Sequence, residues 1–186
     1  MGHHLIMGQL EDALTGERLD DTHDERYRQA LIHLLLHEKG YAKGDLTGGH
    51  MLTVQAGERG GRLAVDLLVT LEERITLLIK YGPGSLVTRE RPVLSLGRLV
   101  APYQIPRLVV TNGEDAHLLD GAKGNLLGRG LAAIPDREDL LAVRRQAPFT
   151  PIDAARADRE SRLAYCYEID GACPCDDTVC RVPTES

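Results

Sequence analysis

Two charged residues stand inside the most apolar part of this sequence. Asp66 interrupts a strand-like run, Arg62–Leu71, and Lys80 comes near the end of a second run, Ile75–Tyr81. If Glu72–Arg74 form a three-residue hairpin loop, Leu71 faces Ile75, and counting back places Asp66 opposite Lys80. An isolated buried charge costs several kcal/mol, so the two side chains must neutralise each other or bind something.

Two interpretations of the pair remain open on spacing alone. The first is a buried ion pair that fixes the register of the hairpin. The second is a metal site, in which the carboxylate of Asp66 holds Mg²⁺ and the ammonium of Lys80 orients or deprotonates the attacking water.

Helices and further strands must position this hairpin. Thr22 and Glu25 form a capping-box pattern that begins an amphipathic helix, and Gly40 is a suitable stop. Arg107–Thr111 is typical of a core strand, and the following Asn112-Gly113 indicates a turn. The remaining predicted elements are a strand at Met51–Gln55, a turn at Glu58–Gly61, a helix at Pro92–Ala101, a hairpin from 116–119 and 125–129, a helix from Asp136 to Gln146, and a helix at Ile152–Tyr165 begun by Pro151.

An acidic residue, a hairpin and then acid-x-Lys on the next strand is the signature of the PD-(D/E)xK nucleases. The wider pattern resembles the N-terminal domain of type I restriction enzyme R subunits. The matching features are Glu25 on the first helix, the pair Gly40-Tyr41, the Asp66–Lys80 hairpin and the strand ending in Thr111-Asn112-Gly113. The resemblance implies a restriction-endonuclease-like α/β fold with a mixed central sheet flanked by helices.

The resemblance covers about residues 20–145, and it implies that Asp66, Lys80 and Glu25 are the catalytic set of a Mg²⁺-dependent nuclease. One position departs from the pattern. Leu78 stands where the family has the second acid, and leucine cannot ligate a metal, so Mg²⁺ would be held weakly. The site is therefore expected to be degenerate, unless Glu25 or Glu90 supplies a relocated carboxylate. Glu25 also has the capping role described above.

The formal net charge of −6 and the pI of about 5.6 disfavour broad electrostatic attraction to nucleic acid. A local basic strip could still bind DNA. The candidates Arg89, Arg91, Arg98 and Arg107 lie close together in the sequence. No apolar run is long enough to cross a membrane and no signal peptide is evident, so we expect a cytoplasmic protein.

Four cysteines, Cys166, Cys173, Cys175 and Cys180, lie in one short stretch near the end of the sequence. Such clustering favours Zn²⁺ or an iron–sulfur cluster, although the spacing lacks paired CxxC motifs. The alternative is a set of reduced thiols. His33 and His37 have metal-compatible spacing, but they fall off the apolar stripe of their helix and are expected to face solvent.

These observations predict three segments: an N-terminal arm over 1–20, a restriction-endonuclease-like domain over 21–147, and a C-terminal helix with a Cys-rich tail over 148–186. The expected function is that of a nucleic-acid-associated, nuclease-like domain with an incomplete site. The alternatives are an active endonuclease with a relocated acid and a non-enzymatic metal-binding or interaction protein that uses the cysteines. No P-loop motif for ATP occurs in the sequence, so the expected partners are DNA, a second copy of the chain or separate restriction-system subunits.

Overall fold

The fold is an α/β arrangement built around one mixed sheet. The computed structural model describes residues 5–170 and 179–182. The helices are α1 (His23–His37), α2 (Val87–Leu99), α3 (Arg137–Gln146) and α4 (Ala154–Ala164). The strands are β1 (Gln9–Glu11), β2 (Arg18–Asp20), β3 (Leu46–Ala56), β4 (Arg59–Leu71), β5 (Arg74–Tyr81), β6 (Arg107–Thr111), β7 (Ala116–Asp120), β8 (Leu126–Arg129) and β9 (Val179–Val182).

The central sheet has the strand order β3-β4-β5-β6-β7-β8, and β9 also pairs with β4. Strands β5 and β6 are parallel and are connected through α2, whereas the other neighbours are antiparallel. The short strands β1 and β2 form a separate two-stranded sheet. This topology agrees with the predicted mixed α/β fold.

Strand β4 is the longest strand of the sheet, and two strands share one of its edges. On one edge of β4, β3 pairs along nearly the whole length of the strand. The other edge is shared by β5, which pairs with Leu67–Leu71, and β9, which pairs with Gly60–Leu63. Residues 64–66 therefore face a gap between the end of β5 and β9. Asp66 lies in this gap.

The β4–β5 hairpin has the predicted register but not the predicted loop. Leu68 pairs with Leu78 as expected, yet the loop holds only Glu72 and Glu73, because Leu71 pairs with Arg74. Both loop residues have left-handed backbones, with φ of +46° and +66°, as the type I′ turn of a two-residue hairpin requires. A bulge next to Val69 adds the missing residue on β5 and restores the expected pairing.

Each face of the sheet is covered by two helices. On the first face, which we call the α1 face, residues of α1 and α3 such as Leu35 and Leu140 pack against Leu67 and Ile79. On the opposite, α4 face, residues of α2 and α4 such as Leu96 and Ala164 pack against Leu68, Leu78 and Leu108. A π-helical turn, Tyr165–Asp170, continues α4 and adds Tyr165 and Ile169 to this second cluster.

Several predicted boundaries are wrong. The turn before β4 is at Gly57-Glu58, so Arg59–Gly61 already belong to the strand, and β3 is longer than Met51–Gln55. Helix α2 begins at Val87 and contains Pro92. Helix α4 begins at Ala154 rather than at Pro151, because Asp153 caps it by accepting from the amide of Arg156, 2.8 Å away.

Candidate active site

Asp66 lies where β4 changes the face to which its side chains point. Leu63 and Val65 pack on the α4 face, whereas Leu67 packs on the α1 face, although all three positions are odd. Regular alternation would place them together, so the pleat is interrupted at Asp66. Gly49, the residue opposite on β3, has a φ of +63° and no ladder pairing. This irregularity leaves the carboxylate of Asp66 within reach of groups from both the sheet and α1.

The ammonium of Lys80 closes the gap on the edge of β4. Its Nζ atom lies 3.0 Å from Oδ2 of Asp66 and donates to the carbonyl oxygen of Ala64 at 3.2 Å. Burial favours the neutral amine, but the negative charges of Asp66 and Glu168 outweigh it, so the pKa of Lys80 lies above its usual value. The contacts with Asp66 and Ala64 therefore favour the charged form of Lys80.

Both oxygens of the Asp66 carboxylate are occupied by donors of the protein. Oδ2 also accepts from the backbone N–H of Tyr81 at 3.0 Å. Oδ1 accepts from Arg28 of helix α1, with 3.3 Å to Nη2 and 3.4 Å to Nε. The side chain of Asp66 is only 5% exposed. The ion pair predicted between Asp66 and Lys80 is thus part of a larger network.

Glu25 joins this network from the first turn of α1. Nη1 of Arg28 donates to Glu25 Oε2, and Nε2 of Gln29 donates to Glu25 Oε1 at 2.9 Å. The capping-box prediction is half wrong. Thr22 accepts from the Glu25 amide at 3.2 Å, but its own N–H donates to the carbonyl of Asp20, so the Glu25 carboxylate contacts Arg28 and Gln29 instead of capping the helix.

Leu78 occupies the position of the second acid and is fully buried in the core of the α4 face. Glu90, a candidate for the relocated acid, instead lies 2.6 Å from Nδ1 of His117 on β7. Among residues 5–170 and 179–182, no three His, Cys, Asp or Glu side chains are arranged to hold a metal ion. The residues present do not fit the Mg²⁺ site that the resemblance implies.

A comparison with protein families identifies the chain. The sequence model of the family described as the type I restriction enzyme R protein N terminus matches residues 23–135, which is more than half of the chain. The chain belongs to this family. No curated protein and no solved structure gave a match.

In this member of the R-protein N-terminal family, the predicted arginine strip is not continuous on the surface. Arg98 is 7% exposed and, like Arg91, pairs with Glu160 of α4 at 2.7 Å. Nε of Arg89 donates to the carbonyl of Pro83 at 3.2 Å. Arg107, at the opposite end of β6 from Thr111, lies 3.5 Å from a carboxylate oxygen of Asp120. Arg98 is therefore unsuited to nucleic-acid contact, whereas a role for Arg89 and Arg91 stays a prediction.

The metal site predicted for the four cysteines lies only partly within the described residues of this family member. Cys166 is exposed in the π-helical turn after α4. Cys180 belongs to β9, where its backbone pairs with Arg62, while Cys173 and Cys175 lie outside the described residues. A Zn²⁺ or iron–sulfur site formed by the four residues stays a prediction.

Two other sequence predictions can be checked on the described part of the chain. His33 and His37 stack on each other with ring centroids 5.5 Å apart, and both are exposed as expected. No helix in that part of the chain is long and apolar enough to cross a membrane.

Sequence reasoning missed Arg28, which links two of the three predicted catalytic residues. Its position three residues after Glu25 predicts a contact along the helix. Its second contact, with Asp66, depends on how α1 docks on the sheet, and the separation of 38 residues gives no local signal of that contact.

Proposed function

We propose that this chain is a nuclease-like module that associates with nucleic acid without cleaving it. The observation that carries the proposal is the state of Asp66. Both of its oxygens accept hydrogen bonds from the protein's own donors, and Leu78 presents an apolar wall where a second carboxylate would be needed. Membership of the R-protein N-terminal family supports the association with nucleic acid.

Cleavage by the PD-(D/E)xK type of site needs a divalent cation held by at least two well-placed acids and a water molecule activated nearby. Here Asp66 and Glu25 both contact Arg28, and the protonated Lys80 is hydrogen-bonded to Asp66 and to a backbone carbonyl. These contacts occupy the groups that would have to hold the cation and activate the water. The same contacts stabilise the hairpin and its attachment to α1.

The rival function is an active endonuclease with a relocated acid. The observation that favours it is the position of the π-helical turn after α4, which packs Tyr165 and Ile169 in the same cluster as Val65 of β4 and carries a further carboxylate, Glu168. This carboxylate lies outside the segment matched by the family. Glu168 is therefore the candidate to test for a relocated acid.

Incubation with supercoiled plasmid in Mg²⁺ and in Mn²⁺ separates the two functions. We expect the wild type and Lys80→Ala to leave the plasmid equally intact. Cleavage by the wild type that disappears in Lys80→Ala would overturn the non-cleaving proposal. Its loss in Glu168→Gln as well would identify Glu168 as the relocated acid. Glu114→Gln, a change of an exposed glutamate in the turn after β6, is the matched control.

Association with nucleic acid is tested by fluorescence anisotropy with a labelled DNA duplex between about 50 and 200 mM salt. Affinity that falls steeply with salt supports the proposal. Arg89→Ala is expected to lower the slope of log K against log salt by about 1, as loss of one phosphate contact does. Arg162→Ala, which removes an exposed arginine from α4, should leave the slope unchanged. No binding at the lowest salt would refute the association.

The cysteine segment supports a separate proposal. We propose that Cys166, Cys173, Cys175 and Cys180 bind Zn²⁺ or an iron–sulfur cluster, because four thiols lie close together in the sequence. Elemental analysis of freshly purified protein should then find zinc or iron at near one equivalent. If neither zinc nor iron is found at near one equivalent, the proposal is refuted.

A further inference from the structure

The guanidinium of Arg28 lies between two carboxylates that belong to different elements. One of its edges contacts Glu25 on its own helix, and Nε and Nη2 contact Oδ1 of Asp66 on β4. The side chain is 25% exposed, whereas both acids are buried. A cation that joins two buried carboxylates from separate elements has the position that a bridging metal ion would take.

Four charged groups are in direct contact in this network. Glu25 and Asp66 contribute two negative charges, and Arg28 and Lys80 contribute two positive charges. A divalent cation added between the acids would leave an excess of positive charge beside Arg28 at short range. The ion could therefore bind only if the guanidinium were displaced or removed.

The two acids are held in place by contacts that do not involve Arg28. Gln29 donates to Glu25 at 2.9 Å and accepts from the backbone N–H of Ala13, also at 2.9 Å, so the loop between β1 and β2 helps to hold Glu25 through Gln29. The backbone of Tyr81 and the ammonium of Lys80 hold Asp66. Removal of Arg28 would consequently leave two anchored carboxylates facing the same space.

We propose that Arg28 is a built-in cation that takes the place of a divalent metal between Glu25 and Asp66, and that its removal converts the pair into a divalent-cation site. The inference rests on the proposed function, because it gives a reason for the absence of cleavage. The two can fail separately, since cation binding is measured without nucleic acid.

The test measures binding of Mn²⁺ alone to the full chain by electron paramagnetic resonance of the free ion. We expect Arg28→Ala to bind one Mn²⁺ at least about tenfold more tightly than the wild type, because it has two acids and one fewer competing cation. Asp66→Asn added to Arg28→Ala should abolish the gain. Arg26→Ala is the matched control, because Arg26 precedes Arg28 on α1 and pairs at the surface with Asp21, 2.6 Å away.

Loss of Arg28 also leaves like charges close together, and this could destabilise Arg28→Ala. Arg28→Gln keeps an N–H donor and serves as the second variant. Its melting temperature, like that of Arg28→Ala, should rise with added Mn²⁺ while that of the wild type stays constant. Equal Mn²⁺ affinity in wild type and both variants, or no Mn²⁺-dependent stabilisation of either variant, overturns the proposal.

Discussion

Replacement of Glu160 with glutamine tests how α4 is attached to the rest of the molecule. Oε2 of Glu160 accepts from Nη2 of Arg91 at 2.7 Å and from the hydroxyl of Ser95 at 2.8 Å, while Oε1 accepts from Nη1 of Arg98 at 2.7 Å. Glutamine has nearly the same shape, but it replaces one acceptor oxygen with an NH₂ donor. The variant therefore removes the negative charge and points a donor at another donor.

The magnitude follows from the burial of the partners. Glu160 and Arg98 are 3% and 7% exposed, so Glu160→Gln leaves a buried guanidinium without its counter-charge. Breaking a buried pair by removal of one partner costs about 3–5 kcal/mol. Arg91 is 40% exposed, so its own pairing adds little. At about 2–4 °C per kcal/mol for a chain of this size, a loss of about 3 kcal/mol lowers Tm by about 6–12 °C.

The stability lost in Glu160→Gln should be larger at neutral pH than at acidic pH. Burial raises the pKa of Glu160, but hydrogen bonds from Arg91 and Ser95 and the charge of Arg98 outweigh it, so the pKa lies below its ordinary value of 4.5. Ionised Glu160 therefore stabilises the fold fully above about pH 4.5, and this contribution is lost as the pH falls through the lowered pKa. The difference in free energy of unfolding between the wild type and Glu160→Gln should therefore become smaller in that acidic range.

Urea denaturation followed by circular dichroism at pH 7 and at pH 3–4 measures these free energies. Asp158→Asn is the matched control on the same helix, because Asp158 pairs with Arg162 and both side chains are more than half exposed. Its effect should stay within about 0.5 kcal/mol. A loss below about 1 kcal/mol for Glu160→Gln at pH 7 would refute the assignment of a buried ionic attachment.

Three further substitutions test the hairpin, the site wall and the sheet. Glu73→Gly should raise the free energy of unfolding by about 0.5–1 kcal/mol, because it relieves a φ of +66°; Glu73→Ala should give no gain, and a loss in urea melts of the glycine variant would contradict the turn. Leu78→Glu should cost about 3 kcal/mol or more, since it buries a carboxyl in an apolar cluster, whereas Leu78→Met should cost less than about 1.5 kcal/mol. A Leu78→Glu protein as stable as the wild type would contradict the burial of position 78 in this cluster. Gly121→Ala should lower stability by at least about 2 kcal/mol, because its Cβ would lie 1.7 Å from the carbonyl oxygen of Ile105. Gly44→Ala meets open space and should leave Tm unchanged, and equal melting of the two alanine variants would contradict the close approach.

The β4–β5 hairpin shows what local pattern can and cannot predict. The apolar runs predict both strands and place Leu68 opposite Leu78, as observed. The assumed three-residue loop is wrong, and the register is right because a bulge offsets the shorter turn. A bulge adjusts one residue to its neighbours in three dimensions, and no short-range pattern in this sequence signals it.

Long-range charge pairing accounts for the larger errors at the site. Arg98 belongs to a cluster of arginines in the sequence, and it is buried because Glu160, 62 residues later, supplies its counter-charge. Glu25 has the pattern of a capping residue, but its carboxylate contacts Arg28 and Gln29 instead. In each case several partners were available to a charged side chain, and only the packing of helices on the sheet selects among them.

The shared edge of β4 has a consequence for the order in which the protein folds. The family match ends at residue 135, yet α4, its π-helical turn and β9 cover one face of the sheet and extend one edge of its longest strand. During synthesis from the N-terminus, Leu78 and its neighbours on that face can complete their packing only after Ala164, Tyr165 and Ile169 have been made, about 90 residues later. A nascent chain that stops at the family boundary would keep α2 on this face but would expose the part that α4 and its turn cover, and we expect it to bind chaperones.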